Sequence, residues 1–449
     1  MISSHSKSPG LTAMLLLGLL LAACEVASSA ATPPASTAVA TDEAAAAADA
    51  PTLAPSAPPR PEHRIGVRVV DGVGEFYDRQ TGEKYVPRGN NYIRTARQDT
   101  SSGQIFYHST FNVGLYDAAE ADANLAVMHE AGYNVVRVFV NGCCDLHSIG
   151  DPAGGLRPEY IANLVDFLRK AQVHGIFVMI TGDDLPKAGG YIEIQDTTWQ
   201  AEFPGSHATY LLPGGIRASR QFWADFIEAL IRQDAPFEAI FSFELLNEMH
   251  FYSDGMPFTL SSGVLKTANG RSYSMASEAD KQLMVEEGSV YWMDKVRERI
   301  LELDPTALVS VGFFHPQGPN PDRIGDPRLA VTAPAIWDSQ LDFVDLHPYP
   351  GLALSLAEYV ENYGIQRMQE KPIIMGEFGL TITSYPSLDT AAHVLARWQA
   401  ESCEYGFDGW LFWTWDLASD DIFRRALDGG GAISEILSPA ARPDPCQPP

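Results

Sequence analysis

The sequence predicts a closed (β/α)8 barrel, and three observations lead to this fold class. Eight short runs rich in β-branched and aromatic residues recur between residue 84 and residue 415. Longer stretches with apolar residues at helical spacing lie between these runs, and this alternation is typical of parallel strands joined by helices. Polar residues follow several of the runs, as expected where the ends of barrel strands surround one mouth.

Each of the eight runs has the length and the apolar content of a buried parallel strand. In chain order, the runs span residues 84–92, 134–140, 175–180, 239–245, 307–314, 342–348, 372–378 and 409–415. The competing architecture is an open doubly wound sheet, which usually carries a glycine-rich phosphate loop after its first strand. The segment RGNNYIR (88–94) is no such loop, so the barrel is favoured.

Two further runs, IGVRVV (65–70) and EFYDRQTGEKYVPRG (75–89), lie at the start of this region. Together they predict an opening β-hairpin, with Thr81 and Gly82 at its turn.

The stretches between the barrel strands carry helix start and stop signals. Residues 157–175 combine Pro158 near the start with Gly175 at the end, and their apolar residues recur at helical spacing. Residues 220–234 form one apolar helix face, and residues 291–305 end on a proline. We therefore expect helices in these three connections, with their apolar faces in the core.

The first residues are predicted to be an export signal that lies outside the fold. Residues 11–24 (LTAMLLLGLLLAAC) form an apolar run after Lys7 that is too short to span a bilayer with ordinary flanks. The ending LAAC resembles a bacterial lipoprotein processing box. We therefore expect residues 1–24 to be a lipoprotein-type signal peptide with Cys24 as the lipid-carrying residue. An ordinary secretory signal with an incidental cysteine is the alternative.

The rest of the chain divides into three predicted parts. Residues 25–64 are rich in Ala, Pro and Ser and are predicted to be a disordered linker, because they offer little apolar area to offset the entropy of ordering. The barrel is expected to span residues 65–436, and residues 437–449 form a Pro-rich tail. The protein would then be exported, to the extracellular face or the periplasm, and held to a membrane only by its lipid.

Charge and cysteine content limit the partners and the compartment. The formal net charge of −26 disfavours a nucleic-acid partner, because phosphate binding needs clustered cations. An oxidising compartment allows disulfides among the four cysteines after Cys24. Adjacent Cys143 and Cys144 cannot easily bond each other without strain, whereas a bridge between Cys403 and Cys446 would pin the tail. The sequence leaves the pairing open, as it does the oligomeric state.

Polar side chains recur at the predicted carboxyl ends of the barrel strands, where chemistry sits in this fold. They are Asn90, Asn91, Arg137, Asp183, Asp184, Asn247, Glu248, His315, His347, Tyr349, Glu377 and Trp413. Glu248 and Glu377 stand out because they end the fourth and seventh strands, on opposite sides of a barrel. Glycosidic cleavage needs such a pair: one carboxyl protonates the leaving oxygen and the other attacks or activates water.

Five motifs in this order resemble clan A of the glycoside hydrolases, and family 5 most closely. They are VVRVF (135–139), Asn247-Glu248, HPY (347–349), GEFG (376–379) and FWTW (412–415). The resemblance covers most of residues 65–420. Two features depart from the family pattern: Met249 stands where many relatives have proline, and the third strand ends in MITGDD, where many relatives have histidine.

The resemblance implies a retaining β-glycoside hydrolase that works by double displacement. Glu248 matches the acid/base and Glu377 matches the nucleophile that forms a glycosyl-enzyme intermediate. Asn247 would hold the 2-hydroxyl of the sugar. The implied substrates are β-linked gluco- or manno-configured polysaccharides or oligosaccharides, and no metal or organic cofactor is required. The choice of sugar and of internal or terminal cleavage stays open.

The resemblance also assigns four supporting residues. Arg137 would sit near Glu377 and favour its ionised form, and Tyr349 would hydrogen-bond the same carboxylate. His347 would line the site, and Trp413 would offer its ring as a platform for the sugar. Glu244 lies inside the fourth strand, away from solvent, and is left out of the catalytic set.

Two other function classes compete. A surface lipoprotein with a sugar-shaped barrel mouth could bind carbohydrate without cleaving it, although a binder needs no pair of glutamates. A metal-dependent barrel hydrolase would have His-x-His at the end of the first strand, where this chain has RGNNYIR.

Overall fold

In the computed structural model, the described part of the chain lies within residues 58–449. The described residues are 61–93, 97–98, 105–106, 108–140, 148–195, 207–314, 328–330, 333–349, 354–365, 370–416 and 423–449. The predicted signal peptide with Cys24, the linker up to residue 60, Cys143, Cys144 and His315 lie outside them.

The chain opens with an antiparallel hairpin of β1 (Ile65–Val70) and β2 (Val73–Asp78). The turn of this hairpin is Asp71-Gly72, with φ of 53° and 83°. The prediction that Thr81-Gly82 closes the hairpin is therefore wrong. Positive φ at both central residues gives a turn whose twist matches the right-handed twist of the strands, which favours this Asp-Gly pair. Thr81-Gly82 instead forms a second turn, after which Lys84 pairs with Tyr77.

The strands that follow include every predicted barrel strand. In chain order they are β3 (Arg88–Asn91), β4 (Arg97–Gln98), β5 (Ile105–Phe106), β6 (Val135–Val140), β7 (Phe177–Gly182), β8 (Ile240–Glu244), β9 (His250–Tyr252), β10 (Val264–Lys266), β11 (Ser272–Ser274), β12 (Val309–Ser310), β13 (Gly312–Phe314), β14 (Arg328–Ala330), β15 (Val344–His347), β16 (Ile373–Gly379) and β17 (Gly409–Trp413).

The barrel is built from parallel strands in the order β12-β8-β7-β6-β3-β17-β16-β15-β13. Its first and last members, β12 and β13, are two halves of the predicted fifth strand, interrupted at Val311. One half pairs with β8 and the other with β15, so this strand closes the barrel. The remaining strands form short antiparallel pairs outside the barrel, β4 with β5, β10 with β11, and β9 with β14. The predicted (β/α)8 fold is confirmed.

Helices lie between successive barrel strands, as predicted, and a short one follows the last strand. They are α1 (Ala118–Glu130), α2 (Pro158–Val173), α3 (Tyr191–Gln195), α4 (Pro213–Arg232), α5 (Glu278–Leu303), α6 (Ala333–Asp338), α7 (Leu356–Tyr363), α8 (Leu388–Cys403) and α9 (Ala432–Leu437). The predicted helix at residues 157–175 is α2. Helices α4 and α5 begin before the apolar patterns at residues 220 and 291, because Pro213 occupies the first turn of α4 and the Ser277 side chain caps α5.

The amino-terminal end of the barrel interior is closed by apolar side chains. Ile65 and Phe76 of the hairpin form one buried apolar cluster with seven residues, each from a different barrel strand or from the position directly before it. These residues are Val135, Met179, Phe241, Leu308, Phe343, Ile374 and Leu411. Because this end is apolar, the polar groups of the interior lie toward the carboxyl ends of the strands.

Both ends of the described unit are tied to the barrel. His63 is buried and its Nε2 lies 2.6 Å from Asp304 Oδ2, so packing begins just before residue 65, the predicted start of the barrel. At the other end, Cys403 and Cys446 form a disulfide, and Arg88 donates a hydrogen bond of 2.8 Å to the Leu437 carbonyl. The Pro-rich tail therefore packs on the barrel. Among the described helices, none has the length and apolar content needed to cross a bilayer.

Candidate active site

Arg137, in the middle of β6, is the centre of the polar interior. Its guanidinium is fully buried and donates two hydrogen bonds to Glu244, at the end of β8. Nε donates to Oε2 at 3.0 Å, and Nη2 donates to Oε1 at 2.7 Å. Burial alone would lower the pKa of Arg137, but the two anions Glu244 and Glu377 outweigh it and raise the pKa. The guanidinium is therefore a permanent cation, and Glu244 is a direct partner of it.

The same guanidinium also connects three other segments. Nη1 donates to Glu377 Oε1 at 2.6 Å and to Asn91 Oδ1 at 2.8 Å, and Nη2 donates to Asn247 Oδ1 at 2.8 Å. Because the Asn247 oxygen accepts from Arg137, its amide nitrogen is the group left to donate to a ligand. One cation thus fixes the relative positions of β3, β6, β16 and the segment after β8.

Glu377 lies in an irregular part of β16, where the pairing with β17 shifts register between Met375 and Phe378. Only 3% of the residue is exposed. Besides Oε1 bound by Arg137, its Oε2 accepts a hydrogen bond of 2.6 Å from the Tyr349 hydroxyl. Burial and the neighbouring Glu377 charge raise the pKa of Tyr349 well above its usual value. The hydroxyl therefore keeps its proton and acts as a hydrogen-bond donor to Glu377. Both predicted contacts of Glu377 are present.

Glu248 follows β8 on the exposed side of the site. Its side chain is 28% exposed, and its backbone has a positive φ of 46°, which is uncommon for a residue with a Cβ atom. A carboxyl here can be reached by a molecule entering the mouth, whereas Glu377 sits deeper.

His347, the last residue of β15, lies between the two glutamates. Its Nδ1 is 3.3 Å from Glu248 Oε1 and 3.6 Å from Glu377 Oε1. Burial lowers the pKa of His347, but the attraction of Glu377 and the hydrogen bond with Glu248 outweigh burial and raise the pKa to about 9. One oxygen of each glutamate and one ring nitrogen all lie within 4.8 Å of one another. The imidazolium therefore balances part of the negative charge of this pair.

Asp345, two residues earlier on β15, is fully buried below His347, with Oδ1 3.7 Å from Nε2. Burial and the neighbouring Glu244 raise the pKa of Asp345 well above its usual value, which favours the protonated form of this carboxyl. Glycines make room for the cluster: a Cβ atom on Gly376 would lie 2.0 Å from Asp345 Oδ1, and one on Gly312 would lie 2.6 Å from Glu244 Oε1.

Trp413, at the end of β17, forms one apolar wall of the mouth. It is 9% exposed and packs edge-to-face on Phe139, with ring centroids 5.9 Å apart. His108, from the segment after β3, stacks on Phe139, with ring centroids 3.8 Å apart. Trp415 points the other way and donates its indole N–H to Asn124 of α1 at 2.8 Å. The two tryptophans therefore lie on opposite sides of the barrel wall.

Two groups of side chains in this interior have ligand types that suit a divalent metal: Glu244 with Asp345 and His347, and Glu248 with His347 and Glu377. Arg137 contacts a carboxylate of each group, and His347, common to both, is itself cationic. A further cation would meet two like charges at short range, so these groups fit a charge-balanced carboxylate site better than a metal centre.

The seven catalytic and substrate-binding residues predicted from sequence converge in this one region. Sequence reasoning missed Asp345 as a member and left Glu244 outside the site. Both could have been found in the sequence, because a carboxylate within an apolar strand needs a buried partner. Asp345 also lies on the same face of its strand as His347. His108 carried no such signal, because a loop brings it to the mouth.

No protein-family model matches the sequence, and no curated protein matches it. Solved structures do match. The endo-1,4-β-mannanase from Rhizomucor miehei has a TM-score of 0.57 at 16% identity, over 84% of this chain and 100% of that chain. The exo-β-1,4-mannosidase from Opitutaceae bacterium strain TAV5 has a TM-score of 0.55 at 18% identity, over 84% of this chain and 62% of that chain.

A third match is the endo-β-1,4-mannanase from Thermotoga petrophila, with a TM-score of 0.55 at 17% identity, over 80% of this chain and 77% of that chain. At these identities the similarity establishes the fold, and it agrees with the resemblance seen in the motifs. The chain thus has the (β/α)8 barrel fold of these glycoside hydrolases.

Proposed function

We propose that this protein is a retaining β-glycoside hydrolase acting on β-1,4-linked manno- or gluco-configured polysaccharides or oligosaccharides. The observation that carries the proposal is the closeness of the two strand-end glutamates: a carboxyl oxygen of Glu248 and one of Glu377 lie within 4.8 Å. Retaining glycosidases hold their two carboxyl groups roughly 5–5.5 Å apart, whereas inverting enzymes need about 6.5–9.5 Å to admit a water. The short distance supports direct attack by a carboxylate.

In the first step, Glu377 attacks the anomeric carbon while Glu248 gives its proton to the departing glycosidic oxygen. The product is a glycosyl ester of Glu377. In the second step, Glu248 takes a proton from water as the water attacks the same carbon and releases Glu377. The anomeric configuration is inverted twice and is therefore retained.

The charges around Glu248 and Glu377 suit this two-step reaction. Arg137 and Tyr349 each donate to one oxygen of Glu377, which stabilises its anionic form before attack. Esterification removes the Glu377 charge, so the negative form of Glu248 becomes easier to generate in the second step. His347 contacts Glu248 and can stabilise its negative form in this second step.

The remaining contacts favour a sugar as the ligand. Asn247 offers its amide nitrogen beside the acid/base, where a 2-hydroxyl would lie, and Trp413 offers an apolar ring on which a sugar face can stack. The three solved structures described above are named for action on β-1,4-mannosidic substrates. Manno-configured substrates are therefore the first to test, and gluco-configured ones the second.

The proposal is tested by incubating residues 61–449 with β-1,4-manno-, β-1,4-gluco- and β-1,4-xylo-oligosaccharides and resolving the products by size. Cleavage of a manno or gluco series supports it, and the product ladder separates internal from terminal cleavage. Proton NMR of the first-formed product should show the β anomer. An α anomer would exclude Glu377 as nucleophile. Binding of oligosaccharides without cleavage would favour the non-catalytic carbohydrate-binding lipoprotein instead.

The role of Glu248 predicts a dependence on the leaving group. Glu248→Ala should lower kcat/KM on an oligosaccharide by about 10²–10⁴-fold, because a sugar oxygen leaves poorly without a proton. For a 2,4-dinitrophenyl glycoside, whose leaving group needs no proton, the bond-breaking step should be nearly unaffected. Added azide should speed breakdown of the accumulated intermediate. Equal loss on both substrates would argue against Glu248 as the acid.

We further propose that the protein is exported and held at a membrane by a lipid on Cys24. The apolar run at residues 11–24 and its LAAC ending support this, as does the Cys403–Cys446 disulfide, because disulfides persist in oxidising compartments. Mass spectrometry of the mature amino terminus tests it: an acylated Cys24 is expected, and an unmodified later residue would contradict it.

A further inference from the structure

The backbone of Glu248 is held in an unfavourable conformation by its surroundings. A positive φ brings the Cβ atom of a non-glycine residue close to its own backbone, so such residues persist only when neighbouring contacts enforce them. The residues on each side are fixed to the barrel: Asn247 N–H donates to the Gly182 carbonyl at 2.9 Å, and Met249 N–H donates to the Gly312 carbonyl at 3.1 Å. The carbonyl of Glu248 itself needs a separate partner.

That partner is His250, whose Nδ1 lies 2.7 Å from the Glu248 carbonyl oxygen. A carbonyl oxygen can only accept, so Nδ1 of His250 must carry the proton in this contact. The ring therefore donates to the backbone of the residue that bears the acid/base carboxyl, two positions away in the chain.

A second histidine fixes His250. The backbone N–H of His250 donates to His207 Nδ1 at 3.2 Å, so the proton of a neutral His207 ring lies on Nε2. That nitrogen is 3.4 Å from Oδ1 of Asp184, two residues after β7, and the Tyr210 hydroxyl donates to the same oxygen at 3.4 Å. Each contact that links Asp184, His207, His250 and the Glu248 carbonyl is thereby assigned a donor and an acceptor.

We propose that His250, supported by His207 and Asp184, is a positioning residue that fixes the backbone of Glu248 and so aims its carboxyl at the glycosidic oxygen. This role rests on the proposed function of Glu248 as acid/base. It also gives a purpose to Asp184, one of the strand-end aspartates of MITGDD, and to a histidine outside the sequence motifs. A general acid must lie within hydrogen-bond reach of its target oxygen, so a small rotation of the Glu248 backbone weakens proton transfer.

Two substitutions at one position test the proposal. His250→Leu removes the donor, whereas His250→Asn keeps an N–H donor at about the place of Nδ1. We expect His250→Leu to lower kcat/KM on an oligosaccharide by about 10- to 100-fold, a part of the total effect of a general acid. On a 2,4-dinitrophenyl glycoside, the same variant should lose less than about threefold, because no proton is needed. His250→Asn should stay within about threefold of the parent on both substrates.

The outcomes separate the possibilities. Equal loss on both substrates, or no loss on either, would overturn the positioning role while leaving the hydrolase assignment intact. A parent protein that cleaves neither substrate would instead overturn the proposed function, and this inference with it. If His250→Leu does not fold, His207→Leu, which frees the His250 backbone but keeps its ring, gives the same test: a loss larger on the oligosaccharide supports the role, and equal loss contradicts it.

Discussion

Replacing Glu377 by alanine should abolish turnover, with kcat/KM on a cleavable oligosaccharide lower by at least about 10⁴-fold. The carboxylate that forms the covalent intermediate is then missing, and Glu248 is still needed as the acid/base. The mouth, with Asn247 and Trp413, is unchanged, so binding of the oligosaccharide should be largely retained. Turnover is measured by product release and binding by calorimetry.

The matched control for this experiment is Glu361→Ala. Glu361 is an exposed glutamate on α7, and its removal should leave kcat/KM within about twofold of the parent. Turnover in Glu377→Ala that equals that of this control would show that Glu377 is not the nucleophile. Loss of both turnover and binding would indicate that the substitution disturbs the mouth as a whole.

Replacing Arg137 by methionine should lower the free energy of unfolding by roughly 3–5 kcal/mol, because a buried ion pair is broken on one side only. Glu244 and Glu377 would keep their burial and lose the cation that joins them. Guanidinium unfolding followed by tryptophan fluorescence measures the difference. Turnover should also fall sharply, because Arg137 donates hydrogen bonds to both Asn247 and Glu377.

Two controls accompany the Arg137 variant. Arg137→Lys keeps the charge but cannot span the partners of a planar guanidinium, so its loss of stability should be intermediate. Arg232→Met removes an exposed arginine of α4, 65% exposed and 3.6 Å from Glu228, and should change the free energy of unfolding by less than about 0.5 kcal/mol. A loss below about 1 kcal/mol for Arg137→Met would mean that the buried network is not held together by this cation.

Much of the barrel could be predicted because each strand carries its own local signal. A buried parallel strand is a short apolar run whatever its neighbours are, and Pro158 and Gly175 mark the ends of α2 without reference to the rest of the chain. The hairpin turn was misplaced because two turn-forming pairs, Asp71-Gly72 and Thr81-Gly82, lie ten residues apart. Only the pairing of β1 with β2 decides which of them closes the hairpin.

The candidate site was predictable as a set of residues and not as an arrangement. Order along the chain put Glu248 and Glu377 at strand ends, and the fold rule brought those ends to one mouth. The distance between them, the contact of His347 with both, and the raised pKa of Asp345 depend on packing between strands that are far apart in sequence. The positioning series through His207 and His250 depends in addition on loop geometry.

The sequence by itself determined the fold class, the two glutamates and the residues expected around them, because strand and helix signals are local and catalytic motifs are short. The tertiary structure decided that Glu244 belongs to the Arg137 network, that Cys403 pairs with Cys446, and that β12 and β13 close the barrel as two halves of one strand. The physical reason is that burial, hydrogen-bond partners and charge repulsion are properties of positions in space. They arise only when segments separated by many residues are packed together.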